Sequence, residues 1–496
     1  PHLFNAGVNP IFLIISFLSF SSSIFAKADW TFLIYAQTKN DLNVYFLQNL
    51  RDMAQVGSND RLNIIVQWEQ PKRDGIWRYK VEKGKVHLDQ HLANSANNGC
   101  VNDVVDFARW GVSKYPAKHY AFILSSHGSG IIDPTFWKDS LGFNVTKLDE
   151  TSRGILFNWE NKSYMTNQHL SQTLKQIKND ILGKKLELLI MDACLMSTVE
   201  MQYQVKDYAN FFVGSEEQSS AIGLTFSDFF RDLANKYLTP FELSALMVNT
   251  YKQYYEEKFD WYTQSAVNLE DVSLIKDNLD QIVLHITECE QAYGKSAVKN
   301  FVKRARKSCL QFNVPIYVDL HSFYSSLYAE LQNGILKEGS ESNDMFSELY
   351  FGEESLDLAY TLSLIEDPEF ENYLATYSDF FEDNQNCENQ ICNLDNLDQE
   401  MLTSTFTKTD LTNTTSTKSI SQDTKSNLVE KLKNDLIVGM KLIESSVVAS
   451  VSGSSMSKAK GLSIYYPKNR VIDASYLKTE FAKDSLWLDF LKEHTR

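Results

Sequence analysis

Cysteine is scarce in this chain, with six in 496 residues, so disulfides do not hold the fold together. Cys387 and Cys392 lie close in an acidic, polar segment where they can close a small loop, while Cys100, Cys289 and Cys309 have no evident partner. No pair of CxxC motifs and no HExxH occurs, so a zinc centre has no support. Positive charge is also short. The 48 Lys and Arg against 64 Asp and Glu leave a net charge of −16. That balance argues against nucleic acid as a partner, because phosphate binding needs a basic surface. It is compatible with cationic substrates or with calcium, or simply with a solvated acidic surface. What is present is ordinary for a soluble globular protein: 43% hydrophobic and 23% charged residues. A chain of this length buries a large core and carries more than one structural unit.

Long apolar runs are missing after the first segment. Ile11 to Phe20 (IFLIISFLSF) is too short to span a bilayer comfortably. Ser21-Ser22-Ser23 and then Ala26-Lys27-Ala28 follow it, a small-x-small pattern suited to signal peptidase. Residues 1–28 therefore read as a signal peptide, and the mature protein as exported, either secreted or periplasmic in a bacterium, with no membrane attachment once the signal is removed. A membrane anchor or a buried helix is the alternative. The chain opens with Pro1 and has no Lys or Arg before the apolar run, which is expected if the native start lies upstream. With no cysteine at the cleavage site, a lipoprotein is not expected.

Two short stretches carry the chemistry. Ser125-Ser126-His127-Gly128-Ser129-Gly130 and Met191-Asp192-Ala193-Cys194-Leu195-Met196 each follow a strand-like run, Tyr120 to Leu124 (YAFIL) and Leu186 to Ile190 (LELLI). Short buried runs of this kind read as parallel strands, and in such sheets function gathers at the carboxyl ends of strands. A histidine at one strand end and a cysteine at another can meet as base and thiol nucleophile. Taken singly, a buried Cys is an apolar filler and a His a satisfied polar group. Gly128 removes a side chain where a substrate backbone can approach, and Ala193 keeps the approach to Cys194 narrow.

Around these stretches the pattern alternates. Strands are predicted at Trp30 to Ala36, Leu62 to Trp68 and Asn210 to Ser215, with a hairpin around Trp77 to Val81. Helices are predicted at Leu42 to Gln55, Asn102 to Tyr115, Gln168 to Ile181 and Thr198 to Tyr208. Such alternation implies an α/β fold with a mostly parallel sheet covered on both faces. After Thr225 the pattern becomes helical, interrupted by a strand-like Gln264 to Leu269. Leu331 to Phe406 is acidic with Lys337 as its lone base, and has a helical texture at Leu356 to Ile365. Asn384 to Lys425, rich in Asn, Thr, Ser and Asp, suits a linker or loop. Order returns at Leu428 to Val451, and Gly461 to Tyr466 (GLSIYY) is strand-like before a terminal helix.

At this point the chain resembles the clostripain family of cysteine peptidases. Beyond the two stretches above, Trp30-Thr31-Phe32-Leu33-Ile34-Tyr35, Met53-Ala54-Gln55-Val56-Gly57-Ser58 and Tyr115-Pro116-Ala117-Lys118-His119-Tyr120 are similar to the family's amino-terminal pattern. Ser215-Glu216-Glu217, Val318-Asp319-Leu320 and Gly461-Leu462-Ser463-Ile464-Tyr465-Tyr466-Pro467 resemble its later landmarks, in the same order. The resemblance implies a caspase-like three-layer sandwich, similar to caspases and gingipains, with a mostly parallel central sheet flanked by helices and a largely helical C-terminal region. It implies a catalytic core over 29–270 and a C-terminal region over 271–496 packed on it, interrupted by an acidic, Asn/Thr-rich insertion at about 336–425.

The resemblance also implies roles. His127 and Cys194 are its dyad, acting through an acyl-enzyme, and the backbone N–H groups of Gly128 and Cys194 form the oxyanion hole. No third triad member is evident, and the resemblance does not require one. Asp192 falls in the primary pocket, so the expected partner is a peptide or protein with a basic residue at the cleavage site, and bidentate pairing favours Arg over Lys. The alternative is that Asp192 shapes the turn before Cys194. Relatives are often cut between the dyad residues. Here the polar stretch Asp139 to Lys162 offers Lys147 and Arg153 as self-cleavage sites, unless it is an uncut surface loop. No cofactor is required. Calcium as an activator is implied for some relatives, and the acidic stretch is not an EF-hand loop. Two other readings compete: a catalytically silent adhesion or binding protein on the same fold, and a thiol amidohydrolase acting on small amides.

Overall fold

Trp30 to Ala36 becomes a strand because both of its faces are covered. Phe32 and Ile34 point into one apolar cluster, while Leu33 and Tyr35 point into another, and all four are fully buried. Alternation with a period of two sends successive side chains to opposite faces of a sheet, so an unbroken apolar run needs a layer on each side. The computed structural model describes residues 27–93, 101–132, 154–334, 365–366, 422–468 and 472–495.

The strands, in chain order, are β1 (Ala28–Gln37), β2 (Leu62–Glu69), β3 (Ile76–Glu82), β4 (Lys85–Leu92), β5 (Ala117–Ser125), β6 (Gly154–Asn158), β7 (Ser163–Thr166), β8 (Leu186–Asp192), β9 (Ala209–Gly214), β10 (Thr263–Asn268), β11 (Tyr317–Asp319), β12 (Ile365–Glu366), β13 (Val447–Ser452) and β14 (Ser463–Tyr465). Ten of them form one sheet in the order β12-β4-β3-β2-β1-β5-β8-β9-β10-β13. The centre, β2-β1-β5-β8-β9, is parallel throughout. Antiparallel strands flank it on either side. β6 pairs with β7, and β11 with β14, as two small separate sheets.

Helices fill both outer layers. On one face α1 (Asn43–Val56), α5 (Phe226–Asn235) and α6 (Pro240–Tyr255) bury Phe46, Leu50, Phe229, Phe230 and Met247. On the other lie α2 (Val101–Lys114), α3 (Asn167–Gln176), α7 (Val272–Tyr293), α8 (Lys295–Ser308) and α9 (Leu320–Asn333), contributing Phe107, Leu174, Ile282, Phe301 and Phe323. Between α3 and α7 on that face comes α4 (Val199–Val205). This is the three-layer α/β architecture that the alternating pattern implied. The helix starts are local in origin. Thr239 and Glu242 close a reciprocal capping box on α6 with Pro240 at its first turn. Thr198 caps α4 by accepting from the Met201 N–H.

Three particulars differ from expectation. The helix predicted from Gln168 to Ile181 is α-helical only to Gln176, then widens into a π-turn over Ile177–Leu182. Ile365, placed at the end of a helical texture, belongs instead to a two-residue strand beside Val86 and His87 of β4; an edge pairing that short leaves no periodicity to read. Leu356 to Leu364 lie outside the described residues, as do Cys100, Cys387 and Cys392. The polypeptide re-enters the sheet late. A long helix, α10 (Gln422–Ser446), leads directly into β13, which pairs antiparallel with β10. The sheet thus takes its last strand from the C-terminal region. Among the described residues, no helix is long and apolar enough to cross a membrane.

Candidate active site

Three neighbouring parallel strands end in one row. Ala36 of β1 pairs with Ser125 of β5, and Ser125 pairs with Asp192 of β8. Beyond that row the chain leaves the sheet three times, carrying Asp41, His127 and Cys194. The carboxyl ends of parallel strands are where such sheets place reactive groups. The β5 and β8 ends, which carry His127 and Cys194, are in contact: the Ser126 N–H donates to the Asp192 carbonyl at 3.3 Å. A Cβ added at Gly128 would sit 2.7 Å from the Cys194 carbonyl oxygen and 2.9 Å from the Ala193 Cβ. Only glycine permits that approach, because the obstructing atoms are backbone and a stub side chain.

His127 is held on two sides. Its Nε2 lies 2.6 Å from Asp41 Oδ1. Its ring stacks on Trp159, with centroids 5.5 Å apart and planes 5° apart, and meets Phe157 edge-on. Asp41 is itself fixed by its neighbour. Asn40 donates to the Phe157 carbonyl at 2.8 Å and to Ser126 Oγ at 3.3 Å, and accepts from the Leu42 N–H at 3.0 Å. Behind the histidine, the Tyr317 hydroxyl donates to the Ser129 carbonyl at 3.0 Å and accepts the Ile131 N–H at 2.9 Å.

Cys194 is partly exposed and free. Its Sγ accepts the Ser219 N–H at 3.3 Å and lies 3.9 Å from the Ser219 carbonyl. Burial pushes the Cys194 thiol up to about 11; the Ser219 N–H opposes the rise, and the carboxylates of Glu217 and Asp192 add to it. In this state the sulfur is a thiol, so attack requires a base to remove its proton. The next residue, Leu195, has φ +64°, a conformation costly for a side chain with a Cβ. It is held there by its N–H donating to the Glu217 carbonyl at 3.1 Å.

Asp192 is also partly exposed. Oδ2 accepts from Ser125 Oγ at 2.9 Å, and the Leu224 N–H donates to the same carboxylate. Gly223, at φ +68°, packs so closely that a Cβ would meet Asp192 Oδ1 at 2.3 Å. Burial raises this carboxyl to about 6, against the pull of the two hydrogen bonds. Two buried tyrosines of α6, Tyr251 and Tyr255, back the site, and the Tyr255 hydroxyl donates to the Gly223 carbonyl at 2.8 Å.

A thiol, an imidazole and a carboxylate thus stand together at strand ends, in a chain whose order of landmarks resembles one family. The sequence profile of the clostripain family matches residues 34–494. The chain belongs to the clostripain family. It is a C11 cysteine peptidase. No curated protein matches the sequence. Among solved structures, an inactive zymogen C11 protease from Parabacteroides distasonis is 17% identical, with 62% of this chain and 80% of that chain covered and a TM-score of 0.46. A secreted C11 cysteine protease from Bacteroides thetaiotaomicron, in complex with an irreversible peptide inhibitor, is 16% identical, with 62% and 83% covered and a TM-score of 0.42. At TM-scores below 0.5 these likenesses add no weight to the family profile.

In this clostripain-family chain the later landmarks converge behind the Cys194 loop. Glu216 accepts the Gly461 N–H at 2.8 Å, Asp319 accepts the Lys460 N–H at 2.7 Å, and Glu217 accepts the Asn313 N–H at 2.8 Å. Glu216 and Asp319 are buried against each other. Burial and mutual repulsion raise Glu216 far above the usual carboxylate range, and burial raises Asp319 as well. Other residues went unread in the sequence: Asp41, Asn40, Trp159, Ser125, Gly223 and Tyr317. Asp41 had a usable signal, since it follows the first strand of the sheet as His127 and Cys194 follow theirs. Trp159 had none, because it lies inside the polar stretch Asp139 to Lys162 read as exposed. That stretch is not surface throughout: β6 is buried along its whole length. Lys147 and Arg153 lie outside the described residues. Among the described residues, no cluster of three or more His, Cys, Asp or Glu is arranged to hold a metal ion.

Proposed function

We propose that this C11 peptidase is an endopeptidase cleaving after Arg, and after Lys more weakly, with Cys194 as nucleophile and His127 as its base. The observation that supports the pairing most is the row Ser125–Asp192 together with the contact of Gly128 on the Cys194 carbonyl. His127 takes the Sγ proton as sulfur attacks the scissile carbonyl carbon. The oxyanion that forms is bound by the N–H groups of Gly128 and Cys194, a contribution worth a factor of roughly 10²–10³ per donor. Collapse breaks the C–N bond, and the same proton passes from His127 to the leaving amine. Water, deprotonated by His127, then attacks the thioester carbon and releases the acid and the thiol.

Asp192 is assigned to the primary pocket. Its support is partial exposure, a place two residues before the nucleophile, and a carboxylate that keeps free lone pairs beside its two hydrogen bonds. A planar guanidinium can take two such bonds, an ammonium one. Export of the mature protein, and self-cleavage at Lys147 or Arg153, belong to the same reading.

The deciding experiment compares the purified protein, Cys194→Ala and Asp192→Asn on fluorogenic peptides ending in Arg, Lys, Leu or Asp, with and without calcium. Cleavage after Arg exceeding Lys, lost in Cys194→Ala, and lost in Asp192→Asn while Cys194 still reacts with iodoacetamide, is the expected result. Equal turnover of all four peptides overturns the basic pocket. Turnover surviving in Cys194→Ala overturns the nucleophile.

A further inference from the structure

We propose that Asp41 is a positioning residue for His127, fixing the imidazole so that its Nδ1 edge, and not Nε2, exchanges protons with Cys194. This inference rests on the catalytic reading above. A carboxylate only accepts hydrogen bonds, so the 2.6 Å contact between Asp41 Oδ1 and His127 Nε2 requires the proton to sit on Nε2. In the neutral ring Nδ1 is then the nitrogen with the free lone pair. It is the atom that can accept the Sγ proton and hand it to the leaving amine. When the ring becomes cationic, Asp41 is the negative charge already in place beside it.

The surroundings of Asp41 are consistent with a part built for this contact. Asn40 ties the β1–α1 turn to Ser126, the residue before His127, and to the Phe157 carbonyl at once. The Trp159 backbone N–H donates to the Lys39 carbonyl at 2.9 Å, so the turn bearing Asp41 is tied to the residue whose indole stacks on His127. The imidazole thus lies with an indole on its face and a carboxylate on one edge. Asp41 is 43% exposed and His127 19% exposed, so Asp41 can be replaced without opening the core.

The test uses the full chain with 15N-labelled histidine. A downfield proton resonance coupled to Nε2, absent from His127→Gln, is expected in the unaltered protein and lost in Asp41→Ala. On the best Arg peptide, Asp41→Asn should lower kcat by about 10- to 100-fold with KM within about twofold, and Asp41→Glu should recover part of the loss. Thermal midpoints should stay near that of the unaltered protein. Unchanged kcat in both Asp41→Asn and Asp41→Ala overturns the proposal, as does a neutral ring with its proton on Nδ1 and none on Nε2. If the unaltered protein cleaves no peptide, the catalytic reading fails, and the resonance alone still decides whether Asp41 sets the tautomer.

Discussion

His127 and Cys194 leave adjacent strands of one sheet, yet they are supported in opposite ways. The histidine wall is made largely of side chains from the first third of the chain, Asn40, Asp41, Phe157 and Trp159, two of them, Asp41 and Trp159, partly open to solvent. The cysteine wall is made of backbone: Leu195 bonds to Glu217, Ser197 to Ser215, and Sγ to Ser219. That backbone is braced by buried carboxyl groups, Glu216, Glu217 and Glu200, which grip amides of residues 313 to 465. One wall can be tuned residue by residue. The other stands or falls with the packing behind it, and its carboxyl groups make it sensitive to pH.

The sharpest way to break this contrast is where the walls touch. Gly128→Ala places a methyl group against the Cys194 carbonyl, which has no soft side chain to yield. We expect kcat/KM to fall by roughly 100-fold or more, with a stability loss of about 1–3 kcal/mol, the usual cost of overpacking. Wild-type turnover in a folded Gly128→Ala protein would show that the loops can part freely.

The cysteine wall carries the next largest effect. Glu200 accepts from the Tyr465 N–H at 2.9 Å and the Tyr476 hydroxyl at 3.2 Å, and burial raises it from 4.5 to about 7. Below pH 4.5 both folded and unfolded chains hold this proton. Between about 4.5 and 7 the unfolded chain releases it first, so stability falls as pH rises; above 7 the full cost is present. Glu200→Gln should therefore flatten the pH dependence of stability across that window and leave the protein more stable at pH 8, by on the order of 2–3 kcal/mol. Denaturant titrations at pH 4.5, 6 and 8 measure it. A parallel pH profile in the two proteins would remove Glu200 from the account.

The smallest effect belongs to the pocket between the walls. Burial raises the Asp192 carboxyl to about 6, and only the ionised form attracts a cation. With Arg peptides kcat/KM should drop about tenfold per pH unit below 6. Ser125→Ala removes a hydrogen bond to the carboxylate and should move that limb upward by up to about one unit. A limb that stays in place in Ser125→Ala would mean a different group controls it.

How much of this could be read beforehand follows the same divide. The buried runs at Trp30, Tyr120 and Leu186 announce central strands because both faces need apolar residues. His127 and Cys194 stand out because each ends such a run beside a small residue. Asp41 was legible in principle by the same rule, but its turn lacks a small residue or motif to mark it. Trp159 reaches His127 through a buried strand inside a polar segment, and β13 reaches β10 across some 180 residues. Contacts of that kind leave no local periodicity. Glu216 and Asp319 sat within family landmarks, but only the fold brings the two carboxyl groups to adjacent amides.

Those adjacent amides have a consequence for how the site is assembled. Lys460 and Gly461 lie far beyond Cys194 in the chain, and the hydrogen bonds they give to Asp319 and Glu216 form only when the C-terminal region has docked. The histidine side draws on one later residue, Tyr317, whereas the backbone behind the sulfur is braced through amides as late as Tyr465. A chain ending before Lys460 thus holds every reactive atom and lacks part of the frame behind its sulfur.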